Sequence, residues 1–158
     1  MNILVLGIGQ SLRGDDSVGL ETVRLWQAQY PLTAAKVKTE ISEIPGIALL
    51  DSLAEMDAAI LVDAVRSPAP AGTVIRLGPD ELVSFTPETA VSHGWGVAET
   101  LHLGYAMYPW LVKCRITLFG IVGRNFGLGA PLTPQVRTVI LKVAGIVESE
   151  IQSLMTDK

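Results

Sequence analysis

The chain has little cysteine and little charge for its size. Its 158 residues include a single cysteine, Cys114, which excludes an internal disulfide and any zinc or iron–sulfur site built from several thiolates. Charged residues make up 18% of the sequence, against a typical share of about 25%, whereas apolar residues make up 49%. Such a chain can bury a core without disulfides or a structural metal. We therefore expect one folded domain covering residues 1–158.

The sequence also has no basic stripe and no long apolar segment. Its formal net charge is −4 and its basic residues are scattered, so no row of cations is available to neutralise nucleic-acid phosphates. The apolar middle, residues 100–112, is shorter than the ~20 residues of a membrane helix. The amino terminus lacks the basic segment and cleavage pattern of a signal peptide. We expect a cytoplasmic protein that binds neither nucleic acid nor membrane.

Strand patterns alternate with helical patterns along the chain. Strands are predicted over residues 3–6, 37–41, 58–62, 73–77 and 116–122. Helices are predicted over residues 16–29, 47–53, 97–108 and 134–154. Thr133 is predicted as the N-cap of the last helix, and residues 79–93 as a loop with at most one helical turn. This alternation predicts an α/β fold: a three-layer α/β/α sandwich with a mainly parallel, twisted sheet of about five strands.

Three ionisable side chains are predicted to lie at strand ends or before a helix. Asp16 belongs to the loop after the first strand, Asp63 ends the apolar run 58–62, and His93 precedes the helix over 97–108. Ligands of parallel sheets bind where the carboxyl ends of the strands meet. Two carboxylates and an imidazole would offer oxygen and nitrogen to a divalent transition metal and leave positions open for substrate or water.

Each of these residues also has a purely structural interpretation. Asp15 or Asp16 fits a helix N-cap, Asp63 fits a carboxylate bonded to loop amides, and His93 fits the cap of the next helix. Asp15 could alternatively orient a ligand of a metal, and we favour the cap. A charged group that ends so apolar a run as 58–62 nevertheless needs a reason to tolerate partial burial.

Gly7 and Gly9 after the first strand are typical of a dinucleotide-binding loop, but the rest of that pattern is missing. The third glycine would fall at position 12, which is Leu12. Asp15 and Asp16 would also place two negative charges where a phosphate should bind. The loop therefore argues against a dinucleotide site.

The segment Gly7–Gly19 resembles the amino-terminal GxGNxLxxDDGxG signature of the hydrogenase maturation endopeptidases, which process the large subunit of nickel–iron hydrogenases. The resemblance extends along nearly the whole chain. Residues 60–64 are similar to the second acidic motif of the family, and Ser92-His93 to its histidine motif. The resemblance implies a three-layer α/β fold and an aspartic-type endopeptidase that removes a C-terminal peptide from the precursor after nickel insertion.

The resemblance also implies the site residues. In the family the corresponding residues bind the metal, so Asp16, Asp63 and His93 are expected as catalytic residues and nickel ligands. The nickel is expected to arrive in the precursor, which is the expected partner, rather than to be bound permanently. Nickel could polarise the scissile carbonyl or activate water, or it could only position the precursor while Asp16 or Asp63 serves as general base.

The sequence departs from the family pattern in two places. Gln10 replaces the usual Asn and Ser17 a common Gly, and neither change removes a ligand. The loop Ser42–Gly46 retains only the last glycine of the family's loop, and it contains Glu43. We expect this loop to influence which precursor is accepted.

Two other functions remain as alternatives. A cytosolic hydrolase similar to peptidyl-tRNA hydrolase would share the opening at Gly7–Gln10, but it would need a basic groove and a histidine soon after the first loop, and the sequence has neither. A nucleotide-binding module would bind a nucleotide and would be indifferent to nickel and to the loss of His93.

Overall fold

The computed structural model describes residues 1–43, 46–85 and 96–157. The strands are β1 (Ile3–Ile8), β2 (Lys38–Ser42), β3 (Ala58–Val65), β4 (Val74–Leu77) and β5 (Arg115–Val122). The α-helices of the described ranges are α1 (Val18–Gln29), α2 (Pro31–Ala34), α3 (Ile47–Leu53), α4 (Pro79–Val83), α5 (Gly96–Met107), α6 (Pro134–Arg137) and α7 (Ile140–Thr156). Short 3₁₀ helices cover Gly14–Ser17 and Pro109–Lys113.

The strands form one five-stranded sheet in the order β2-β1-β3-β5-β4. The first four strands of this order are parallel, and β4 pairs antiparallel with β5 at the edge. In the centre, Gly7 of β1 pairs with Val62 of β3, so the two strands end at the same edge of the sheet. The predicted sheet of about five mainly parallel strands is confirmed.

Helices cover both faces of the sheet because successive side chains of each central strand point to opposite sides. Leu4 and Leu6 of β1 pack in a core with α3 and α5, whereas Ile3 and Val5 pack in a second core with α1 and α7. All four side chains are buried, and truncating Ile3, Leu4 or Leu6 to alanine would cost about 2–5 kcal/mol. The predicted three-layer sandwich is confirmed.

The structure corrects the predicted bounds of the third strand and of the last helix. The strand β3 continues to Val65, so Asp63 lies within it, paired with Gly120 of β5, rather than after it. The last helix is split after Arg137, because the amide of Val139 bonds to the carbonyl of Val136 in a tight 3₁₀ turn.

In its described part, the predicted loop over 79–93 contains one helical turn, which agrees with the prediction of at most one. A full turn, α4, begins at Pro79, and Glu81 stabilises its start by accepting a hydrogen bond from the amide of Gly78 at 2.6 Å. Residues 86–93 of the predicted loop lie outside the described residues. Nowhere in the described ranges does the chain form a helix long and apolar enough to cross a membrane. The cytoplasmic location and the single domain stay predictions.

Candidate active site

The loop after β1 is folded back so that the next helical segment lies against the strand ends. Gly9 has a φ of +148°, which side chains rarely allow, and a Cβ there would overlap the carbonyl oxygen of Asp16. A Cβ at Gly19 would overlap the carbonyl oxygens of Val62 and Ile8. These glycines therefore let the backbone approach closely enough to place Asp16 above the carboxyl ends of β1 and β3.

The amides of this loop are already paired with carboxylates of the protein. The amide of Gln10 donates to Oδ2 of Asp16 at 3.1 Å, and the amide of Ser11 donates to Oε1 of Glu43 at 2.8 Å. A phosphate-binding loop needs such amides to point at its ligand. The geometry thus agrees with the sequence in opposing a nucleotide site here.

Asp16 and Asp63 line one cleft at the carboxyl edge of the sheet. The cleft consists of two adjoining cavities of about 330 and 250 Å³, and both are lined by Asp16, Asp63 and Gly96. The larger cavity also includes Gln10 and Glu43. The structure therefore brings together the two aspartates that the sequence predicts at strand ends.

Few hydrogen bonds support the two carboxylates. In the part of the chain that the structure describes, Asp16 accepts only the amide of Gln10, and Asp63 accepts only the amide of Ala64, at 2.9 Å. Burial and, to a smaller extent, repulsion from Asp16 raise the pKa of Asp63 to about 8, against the opposing effect of the Ala64 amide.

Asp16 is affected in the same direction. Burial raises its pKa, although the Gln10 amide and the positive charges of Arg66 and Arg13 act against this. The site therefore holds two desolvated carboxyls that resist ionising together. Such a pair is suited to holding a proton near neutral pH or to binding a cation that would compensate both charges.

The third predicted site residue, His93, lies outside the described residues. The next described residue is Gly96, three positions later in the sequence, and it lines both cavities of the cleft. Within residues 1–43, 46–85 and 96–157, no group of three or more His, Cys, Asp or Glu side chains could hold a metal ion. Asp16 and Asp63 thus supply two oxygen-bearing groups, a donor set that fits a divalent metal with further ligands from elsewhere.

Asp15 points away from the cleft and is completely buried. One carboxylate oxygen accepts the backbone amides of Arg124 and Asn125 at 2.8 and 3.1 Å, and the other accepts the amide of Thr133 at 2.7 Å. The hydroxyl of Thr133 lies 3.0 and 2.9 Å from the two oxygens. Burial alone would raise the pKa of Asp15, but these hydrogen bonds outweigh it and lower the pKa.

The favoured interpretation of Asp15 as a helix cap is therefore wrong. No side chain caps the 3₁₀ helix that contains Asp15. The carboxylate of Asp15 instead joins the loop after β1 to the segment after β5. Thr133 does occupy the N-cap position of α6, as predicted, but its hydroxyl bonds Asp15 and not the amides of its own helix.

Sequence reasoning did not single out two arginines of the cleft. The smaller cavity is lined by Arg13 and Arg66, and the guanidinium of Arg66 lies 4.1 Å from the ring centroid of Phe126. Their positions after strands of the sheet could have identified them as residues of the cleft. Arg13 belongs to the loop after β1, and Arg66 directly follows β3, three residues after Asp63.

The loop with the divergent sequence also reaches the cleft. Glu43 lines the larger cavity and, through the amide of Ser11, is tied to the loop after β1. Gly46 lines the same cavity, whereas Ile44 and Pro45 lie outside the described residues. The expectation that this loop influences the choice of precursor stays a prediction.

The chain is similar to hydrogenase maturation proteins over most of its length. The model of the hydrogenase maturation protease family matches residues 45–150. Hydrogenase 2 maturation protease from Escherichia coli (strain K12) is 28% identical over 141 residues, covering 89% of this chain and 84% of that protein. The hydrogenase expression/formation protein HupD from Rhizobium leguminosarum bv. viciae is 33% identical over 142 residues, covering 87% of this chain and 68% of that protein.

A solved structure has the same fold. The hydrogenase maturating endopeptidase HybD from E. coli superposes with a TM-score of 0.72 at 22% sequence identity. The superposition covers 97% of this chain and 93% of that one.

Proposed function

The chain belongs to the hydrogenase maturation protease family, and from this premise we propose that it removes the C-terminal peptide of a nickel–iron hydrogenase large-subunit precursor after nickel insertion. The nickel is part of the substrate and is recognised through Asp16, Asp63 and His93. The observation that best supports the proposal is the cleft in which the carboxyls of Asp16 and Asp63 lie together with few hydrogen bonds.

The electrostatics of the cleft support discrimination between loaded and empty precursors. Burial and mutual repulsion make it costly for Asp63 to ionise beside Asp16. A divalent cation delivered by the precursor would offset that cost, whereas an empty precursor would leave it in place. The site is thus expected to bind the loaded precursor more tightly.

The same carboxyls support the chemistry of hydrolysis. Water must lose a proton as its oxygen attacks the scissile carbonyl, and the departing amine must gain one when the C–N bond breaks. A carboxylate of the cleft can accept the first proton and return it to the amine, so we assign the general base and acid to Asp16 or Asp63. Nickel bound at the site would supply Lewis-acid polarisation and positioning.

The test compares loaded and empty precursor by mass. Purified protein is incubated with each member of a panel of hydrogenase large-subunit precursors, with and without nickel. We expect loss of a C-terminal peptide from at least one precursor, and only in its nickel-loaded form. If no loaded, folded precursor is cut, the proposed function is wrong. If the empty form is cut equally fast, recognition does not use nickel.

The ligand assignment has its own test in the same assay. His93→Ala is expected to abolish processing, and normal processing by this variant would remove His93 from the ligand set. Asp51→Asn is the matched control, because Asp51 is exposed on α3 and lines neither cavity of the cleft.

A further inference from the structure

The two cavities of the cleft carry opposite charges beyond the aspartates that they share. The larger, here called the acidic cavity, is lined by Glu43 in addition to Asp16 and Asp63, and by no cation of the described ranges. The smaller, here called the arginine cavity, is lined by Arg13 and Arg66 in addition to the same aspartates. One site therefore presents an anionic half and a cationic half on either side of the aspartate pair.

Both arginines of the cleft have donors to spare. Within residues 1–43, 46–85 and 96–157, neither the Arg13 nor the Arg66 guanidinium makes a side-chain hydrogen bond or an ion pair within 4.0 Å. Arg124 provides the contrast, because its guanidinium donates to the carbonyls of Ser67 and Ala69. Arg13 and Arg66 are exposed, so their N–H groups are available to a ligand that enters the arginine cavity.

Arg66 is held in place without using these donors. Its guanidinium lies over the ring of Phe126, with the central carbon 4.1 Å from the ring centroid. A guanidinium over an aromatic ring is attracted by the ring without using its N–H groups as hydrogen-bond donors. The N–H edge of the guanidinium matches the two oxygens of a carboxylate.

The arginines are not simply counter-ions of the aspartates. Neither guanidinium forms an ion pair within 4.0 Å with Asp16 or Asp63, although both cations act at longer range to lower the pKa of Asp16. A bound carboxylate would accept hydrogen bonds from two guanidinium groups that donate none to the described residues. The cavity therefore has the charge, the directed donors and the volume to take a carboxylate.

We propose that Arg13 and Arg66 bind a carboxylate of the peptide that the protein removes. This inference rests on the proposed function and gives the substrate a direction in the cleft. The nickel-bearing side of the scissile bond lies in the acidic cavity, the departing peptide lies in the arginine cavity, and the bond itself lies at Asp16 and Asp63, which line both. The carboxylate is either the terminal carboxylate of the precursor or an Asp or Glu side chain near it.

Three short peptides test the inference without a precursor. They are acetyl-Ala-Ala-Ala as the free acid, the same peptide as the C-terminal amide, and acetyl-Ala-Glu-Ala amide, titrated against the whole protein by NMR. We expect the first and third to shift the amide resonances of Arg13, Arg66 and Phe126, and the neutral amide to leave them unchanged. The tighter of the two acidic peptides identifies the source of the carboxylate.

The variants of this titration isolate the arginines. Arg66→Gln and Arg13→Gln are each expected to weaken binding of the better acidic peptide by about threefold to tenfold, as for a charge-assisted contact. Arg66→Lys should fall in between, because it keeps the charge and loses the fork. Arg137→Gln, at an exposed arginine of α6, is the matched control and should not change binding.

Two results would overturn the inference. One is equal binding, or equal absence of binding, of the acidic and neutral peptides. The other is undiminished binding of the acidic peptides by the Arg13→Gln/Arg66→Gln double variant. Precursor processing without carboxylate-dependent binding would refute this inference alone, whereas carboxylate binding without any precursor processing would refute the proposed function and leave the anion site.

Discussion

Asp15 and Asp16 are neighbours in the sequence and lie in opposite environments. Asp15 is completely buried and accepts hydrogen bonds from Arg124, Asn125 and Thr133, and its pKa is lowered. Asp16 is less buried and accepts one hydrogen bond among the described residues, and its pKa is raised. The number of hydrogen-bond donors, and not the depth of burial, therefore decides which carboxylate is stabilised in its ionised form.

This difference separates a structural part of the site, around Asp15, from the part to which we assign the chemistry, Asp16 and Asp63. We call Asp15 with its three partner residues the anchor. The anchor fixes the loop after β1 to the segment after β5, and so it holds Asp16 in the cleft beside Asp63. Donors at Asp16 and Asp63 would compete with a cation or a proton for the same oxygens, so the sparse hydrogen bonding of the cleft fits the proposed chemistry.

The largest expected effect is the loss of processing when a carboxylate of the cleft is neutralised. Asp16→Asn and Asp63→Asn are each expected to lower kcat/KM for a nickel-loaded precursor by about 10³-fold or more, because both cation binding and proton exchange need the carboxylate. The rate of C-terminal peptide release measures this, with Asp51→Asn as control. Processing within tenfold of the unmodified protein would show that the aspartate has no such role.

The pH dependence of stability should distinguish the cleft from the anchor. Because the pKa of Asp63 is about 8 in the folded chain and near 3.8 when unfolded, the folded state binds the extra proton between these values. The free energy of unfolding should fall as pH rises through this interval, and Asp63→Asn should remove the decline. As pH rises from about 5 to about 9, we expect the free energy of unfolding of the variant to increase relative to that of the unmodified protein by on the order of 2–5 kcal/mol.

Asp15 should contribute to the pH dependence with the opposite sign. Its pKa is lowered in the folded chain, so its contribution to stability is present at neutral pH and is lost in acid as the carboxylate becomes protonated. Urea unfolding at a series of pH values measures both effects. Parallel curves for the unmodified protein and Asp63→Asn would mean that Asp63 does not titrate in this range.

Neutralising Asp15 in the anchor should lower the stability of the protein much more than the rate of processing by its folded fraction. Asp15→Asn is expected to lower the free energy of unfolding by about 2–4 kcal/mol, because a buried amide cannot accept all the donors that the carboxylate accepts. Processing by the folded fraction should fall much less than with Asp16→Asn. Loss of processing equal to that of Asp16→Asn, in a variant that is as stable as the unmodified protein, would place Asp15 in the chemistry instead.

Local apolar patterns in the sequence predict the helices and strands, and with them the strand ends at which the two aspartates of the cleft lie. The apolar run 58–62 is typical of a strand buried on both faces, and the carboxyl ends of parallel strands lie at one edge of a sheet, so the sequence predicts Asp16 and Asp63 at that edge. That β1 and β3 are neighbours, which brings the two aspartates into one cleft, comes from the structure. The helix over 47–53 follows equally from local signals, because its predicted and observed bounds coincide.

The anchor could not be predicted in this way. Its donors are 109 to 118 residues away from Asp15 along the chain, and nothing in the local pattern distinguishes a carboxylate that caps its own helix from one that bonds a distant loop. The stacking of Arg66 on Phe126 has the same character. Hydrogen bonds and stacking between remote segments depend on the assembled fold, whereas periodicity reports only neighbouring residues.

The smallest expected effect tests whether the anchor acts as a unit. Thr133→Val removes the hydroxyl that bonds the Asp15 carboxylate and keeps the Thr133 amide, so we expect a loss of about 1 kcal/mol in urea unfolding. Thr138→Val is the matched control, because its exposed hydroxyl bonds only the carbonyl of Gln135 within the described ranges, and it should cost less than about 0.5 kcal/mol.

The double variant Asp15→Asn/Thr133→Val then tests whether Asp15 and Thr133 contribute to the free energy of unfolding jointly or independently. In an anchor centred on the carboxylate, Thr133→Val should cost clearly less in the Asp15→Asn background than alone, because the charge that its hydroxyl stabilises is already gone. Equal costs in both backgrounds would mean that Thr133 stabilises the start of α6 independently of Asp15. The contrast between the two neighbouring aspartates would then rest on the backbone amides of the anchor alone.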